Sequence, residues 1–238
     1  VDTAYAENWT AHSLWRWIAM HAPDAVIIMG GDEYGLGAAL AEDIMGLGSI
    51  ASFTLDYENE LVDTIRGRKF VPPSAARTKL TARLERSETE VAQALATVYG
   101  QELTALTYIP AMALIGRLRL GQQAEVEAIV APQLESAASA GITNSLQTAG
   151  HLLYAELAER TGDARYLTLA KRAADMGFAA NGEMLEAMPF HGEYSDAFFM
   201  GTPLLAKVGK LTGDPRYFDL ALRHVEFLQA KLLRDDGL

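Results

Sequence analysis

The sequence predicts a mainly α-helical chain of stacked helical hairpins, preceded by a short α/β segment. Three observations carry this prediction. A stretch reading LLYAELAERTGDARYLTLAKRAADM from Leu152 returns as PLLAKVGKLTGDPRYFDLALRHVEF from Pro203. Thr, Gly, Asp, Arg, Tyr, Leu, Ala and Arg recur at one offset, from Thr161/Thr212 to Arg172/Arg223. Such self-similarity marks stacked supersecondary units. Apolar residues around the repeats keep helical spacing, whereas the first seventy residues read as strand, glycine-rich turn and helix.

The N-terminal segment, 1–70, is read first. His12–His21 looks helical. Pro23-Asp24 leads into Ala25–Met29, a short buried-strand pattern. Gly30, Gly31, Gly35 and Gly37 follow, then a helix-like Ala38–Met45 and another apolar stretch at Ile50–Leu55. The order strand, glycine-rich turn, helix invites a phosphate-loop reading. However, the glycines match neither G-x-G-x-x-G nor the Walker pattern, and no Lys follows, so a plain βα turn is favoured. Arg66–Lys69 and Val71–Ser74 read as a linker. Helix resumes over Ala75–Val98 and opens a helical domain running over 75–238.

Three hairpins are expected in that domain. Glu102–Leu120 and Glu125–Ser139 form the first, turning at Gly121. The two repeats form the others. In each, Gly162 or Gly213 suits the left-handed residue that ends a helix. Asp163 or Asp214 suits the cap of the next helix, and Pro215 suits its first position. Leu146, Ala149, Leu153 and Leu157 share one stripe, as do Tyr217, Leu220, Ala221, Val225 and Leu228. On pattern alone, an open α-solenoid satisfies these features as well.

Composition narrows the partners. A net charge of −11 argues against nucleic acid. The absence of cysteine excludes disulfides, thiolate metal sites and a cysteine nucleophile. No apolar run reaches the length of a membrane span. His12, His21 and His224 show no metal-ligand spacing, so no metal or cofactor is expected. The chain starts at Val1 with no visible signal peptide, as a processed chain or a piece of a longer one would.

The segment richest in reactive side chains is Met188–Pro203, with His191, Glu193, Tyr194 and Asp196 before or at a helix start. Asp196 or Ser195 could cap a helix over Ala197–Leu211. Pro203 should kink that helix or displace its first turn. A kinked start beside apolar residues is a place to bury one carboxyl group, and Asp196 is the candidate. His151, on an apolar helix, is read as packed.

The run S-D-A-F-F-M-G-T-P-L-L-A-K, then T-G-D-P-R-Y and D-G-L, resembles the unsaturated glucuronyl and rhamnogalacturonyl hydrolases (glycoside hydrolase families 88 and 105). The likeness spans about Glu102–Leu238 and is most specific over Ser195–Tyr217. It implies an incomplete (α/α)6 toroid and a substrate carrying a 4,5-unsaturated uronic acid. It also implies vinyl ether hydration with Asp196 as general acid/base. An acid near neutrality needs burial or a neighbouring carboxylate to raise its pKa. The resemblance places His191, Tyr194 and Met200, together with Asn144 and Ser145, at the substrate. A second Asp of the family pattern is replaced here by Asn144 or Ser145 in Ile142–His151. Arg117 and Arg119 are candidate partners for the uronate. A closed ring needs about twice these hairpins, so a longer parent, a homo-oligomer or another chain would complete it. Two rivals are another toroid sugar enzyme, such as an epimerase or isomerase, and a non-catalytic helical-repeat scaffold.

Overall fold

A computed structural model describes residues 9–42, 46, 48–56, 61–67, 72–190, 192–234 and 236. Among them the chain is mainly helical, with one small parallel sheet. It divides into two compact units, Val1–Ser87 and Glu88–Leu238.

The first unit contains helix α1 (Trp9–His21), strand β1 (Ala25–Met29), helix α2 (Leu36–Ala41), strand β2 (Ala51–Leu55), helix α3 (Leu61–Gly67) and helix α4 (Ala75–Leu84). The strands pair in parallel, Ala25 beside Ala51 and Met29 beside Leu55. Ile18, Ala22, Leu40, Ile50 and Ala76 make the core, with Val26, Leu36 and Leu80 packed against it. Helix α4 therefore belongs with the strands, and the expected boundary at 70 moves to Ser87. Ser74 anchors its start. The Ser74 hydroxyl accepts from Arg77 N at 3.1 Å and donates to Pro23 O at 2.9 Å. The Ser74 amide donates to Asp24 Oδ1 at 2.9 Å. The expected helix over Ala75–Val98 breaks at 85–87, between α4 and α5 (Glu88–Ala96).

The glycine-rich turn proves to be a plain βα turn. Asp32 accepts from the amides of Leu36 at 2.7 Å and Gly37 at 2.8 Å. A carboxylate of the chain itself thus takes the helix-start amides that a phosphate would need.

The second unit is built from α6 (Tyr108–Arg119), α7 (Gln123–Val130), a 3₁₀ turn (Ala131–Gln133), α8 (Leu134–Ser139), α9 (Ser145–Gly150), α10 (Leu152–Thr161), α11 (Ala164–Asp175), α12 (Ala197–Met200), α13 (Thr202–Thr212) and α14 (Arg216–Leu232), with α5 leading in. Helices α6, α9–α10 and α12–α13 pack side by side. Their partners α7–α8, α11 and α14 lie against them, and α11 also touches α13. Leu114, Leu118, Val126, Val130, Leu153, Leu157, Val208 and Leu220 fill the space between, all essentially sealed from water.

Three further helix limits differ from expectation, each at a proline or glycine. Helix α6 starts at Tyr108 rather than Glu102, which puts Pro110 in the first turn, where its missing N–H costs nothing. The Glu125–Ser139 helix is interrupted by the 3₁₀ turn containing Pro132. The Ala197–Leu211 helix splits at Gly201, with Pro203 in the first turn of α13, as the displaced-turn reading anticipated.

Candidate functional site

The repeated turn is the best-defined local structure. Gly162 and Gly213 have φ of 71° and 72°, and their amides donate to Ala158 O and Gly209 O, each at 2.9 Å. The hydroxyls of Thr161 and Thr212 donate to Leu157 O and Val208 O at 2.8 Å and accept from the amides of Asp163 and Asp214. Each Asp then accepts from the amide and guanidinium of Arg165 or Arg216. Those Arg bonds hold both carboxyls below the usual carboxylate range. The conspicuous acids of the repeat are therefore engaged in structure.

The segment before α12 brings some of the expected residues together. Asp196 stands at the start of α12, and its backbone carbonyl accepts from Phe199 N at 2.9 Å and Met200 N at 3.0 Å. Its side chain makes no capping bond to the helix and is exposed. The expected burial of this carboxyl is thus corrected: Asp196 is exposed, ahead of a single helical turn that ends before Gly201. Tyr194 is also exposed, and its carbonyl accepts from Ala197 N at 3.0 Å. His191 lies outside the described residues.

Met200 is a core residue. It is 3% exposed and packs in a cluster with Ala149, Met188, Ala197 and Leu228, with Tyr108 and Phe199 against them. The rings of Tyr108 and Phe199 meet edge to face at 5.9 Å. This cluster joins the starts of α6 and α12 to α9. Asn144 and Ser145 open the same α9. Asn144 is its cap, with Oδ1 accepting from Gln147 N at 3.0 Å, and Ser145 is buried. Both residues hold the start of this helix.

Arg117 and Arg119 fall at the far end of α6, roughly 14 and 16 Å along the helix from Tyr108. Arg117 is buried and donates to Gln122 Oε1 and Gly100 O, each at 2.6 Å. Arg119 lies 3.9 Å from Glu156. Neither reaches the Asp196 region. At that far end, Lys207 bonds Glu156 at 3.0 Å and also Glu159, which Lys210 bonds at 2.6 Å. Hydrogen bonds from Lys207 and Lys210 pull the Glu159 carboxyl down to about 2.

Two buried histidines complete the inventory. His151 is packed, as expected, with its ring edge to face against Tyr154. His224, on α14, is buried and lines a small cavity with Thr148, Met188 and Leu204. Burial, with repulsion from Arg223, lowers the His224 imidazole to about 4. A backbone group of Leu185 opposes that shift without forming a hydrogen bond of ordinary geometry. Among the described residues no group of His, Asp and Glu could hold a metal ion, and no helix is long and apolar enough to cross a membrane.

Compared with protein-family models, with curated proteins and with solved structures, the chain matches none.

Proposed function

We propose that the chain is a carbohydrate-active enzyme of the unsaturated uronyl hydrolase type, built on part of an (α/α)6 toroid. The observation that carries this reading is the position of Asp196. It stands exposed at a helix start, within the Ser195–Tyr217 motif, on a stack of helical hairpins. The exposed side chain of Tyr194 is two residues away.

In this reading the Asp196 carboxylic acid gives its proton to C4 of the unsaturated uronic acid. Positive charge develops at C5. The Asp196 carboxylate then takes a proton from a water as that water adds at C5. The resulting hemiketal opens and releases the partner sugar. One carboxyl group serves both steps, so the paired carboxylates of ordinary glycosidases are not required. Because the side chain is exposed before binding, the substrate must exclude water from it. The substrate's own carboxylate, brought close, then favours the protonated acid.

The test is turnover of a 4,5-unsaturated uronyl disaccharide by the protein and by Asp196→Asn. The proposal expects a loss of about 10² to 10⁴ in rate with an unchanged far-ultraviolet spectrum. Equal turnover by the two proteins removes Asp196 from the mechanism.

A second reading is a non-catalytic helical scaffold. It is favoured by Asn144, which stands where the resemblance calls for a second acid and is committed to capping α9. A scaffold retains its binding after Asp196→Asn.

A further inference from the structure

Away from Asp196, the second unit holds a cleft of about 240 Å³. Its walls are mostly aliphatic: Leu103, Ala105 and Leu106 before α6, Ala137 and Ala140 at α8, and Ile142 in the loop to α9. His151, Tyr154 and Arg172 also line it. His151 is 3% exposed and Tyr154 is fully buried, yet neither His151 Nε2 nor the Tyr154 hydroxyl makes a hydrogen bond within the protein. Buried polar side-chain atoms are nearly always paired. Two unpaired ones about one helical turn apart, on residues that line one cleft, point to a partner from outside the chain.

The chemistry of these atoms selects that partner. His151 Nδ1 lies 2.7 Å from Gln147 O. A carbonyl only accepts, so Nδ1 carries the proton and Nε2 presents a bare lone pair. Burial, with the Arg172 charge nearby, keeps this imidazole below its usual range. Burial also pushes the Tyr154 phenol up to about 12, so it stays a donor. Arg172 is occupied: its guanidinium donates to the carbonyls of Ala137, Ala138 and Ala140 at the end of α8. An anion would bring only acceptors to the bare nitrogen and find the cation already engaged. A hydroxyl can donate to Nε2 and accept from the phenol.

We infer that this cleft binds a small neutral alcohol, an alicyclic or benzylic hydroxyl compound, whose OH bridges His151 Nε2 and Tyr154. Both protein atoms are screened from solvent in the free structure. Entry therefore requires the non-helical wall segments, Leu103–Leu106 and Gly141–Ile142, to give.

The experiment follows the His151 imidazole by ¹H–¹⁵N NMR, assigned with His151→Gln, while the protein is titrated with benzyl alcohol and cyclohexanol. Toluene and benzoate serve as comparison ligands. The expected result is a saturable shift with a Kd on the order of 1 mM for the alcohols. Binding to Tyr154→Phe should be weaker by about 5-fold or more, and to toluene similarly weaker. Benzoate should give no saturation. Ala105→Trp, at an exposed non-helical wall position, should block binding and keeps the test open if Tyr154→Phe fails to fold. The inference is overturned if neither alcohol saturates, as when water alone fills the cleft. It is equally overturned if toluene binds as tightly as benzyl alcohol, or if Ala105→Trp leaves binding unchanged.

Discussion

At the scale of single residues, the Thr-Gly-Asp-x-Arg turn shows why a repeat persists. Each recurring side chain makes the same bond in both copies, and each glycine occupies a left-handed backbone position. A Cβ added at Gly213 would meet nothing within 4 Å, so only its φ resists substitution. Gly213→Ala should cost about 1 kcal/mol, read as a lower midpoint in urea unfolding at unchanged slope. His224 gives a pH prediction. Its folded pKa of about 4 lies below the unfolded 6.5, so the unfolded chain binds more protons between those values. Stability from the neutral buried ring is full above about pH 6.5 and is lost as pH falls towards 4. The loss is on the order of 2 kcal/mol after allowance for solvent screening. His224→Gln should flatten the stability curve over that window in denaturant titrations at stepped pH.

Residue-scale reading of the sequence succeeded where the reason was local. The glycine and aspartate roles of the turn follow from backbone sterics and capping. The burial of Met200 and the exposure of Asp196 depend instead on which helices meet. Apolar spacing within Ala197–Leu211 does not carry that information. Pro110 could have corrected the start of α6, since a helix from Glu102 would place it well inside.

At the scale of elements, the hairpins are held by aliphatic packing along their length and by charge at one end. Lys207 on α13 bonds Glu156 and Glu159 on α10, and Arg119 on α6 approaches Glu156. Glu156 is buried, so Lys207→Met should cost about 2 kcal/mol by stranding its charge. Adding Glu156→Gln should recover part of that loss, and a double-mutant cycle in urea measures the coupling. The bonds to Glu159 contribute above pH 4.5 and fade as pH falls towards about 2. The helices of the repeats were legible from periodicity and the first strand from its apolar run, while the second strand was legible only as an apolar stretch. The cleft at His151 was not, because its walls come from residues far apart in sequence, 103–106, 133–142 and 172.

At the scale of the molecule, the chain passes from the first unit to the second at a break that the sequence presented as continuous helix. Ala75–Val98 has unbroken helical composition, but α4 ends at Leu84 and α5 starts at Glu88. Limited trypsin digestion should cut early after Arg86 and leave a larger fragment from Ser87 that resists further cleavage. Simultaneous loss of both halves would contradict the division. The broad class, an α/β segment followed by helical hairpins, was readable because each part has its own period. A periodic pattern carries no information on ring closure, which depends on surfaces.

The central proposal is that the chain hydrates a vinyl ether and does not cut a glycosidic bond directly. The most direct measurement is NMR of the product formed from a 4,5-unsaturated uronyl disaccharide in heavy water. The account predicts loss of the C4=C5 signals, deuterium at C4 and release of the partner sugar, all abolished in Asp196→Asn. Release of the sugar with the double bond intact, or no turnover across such disaccharides, would contradict it.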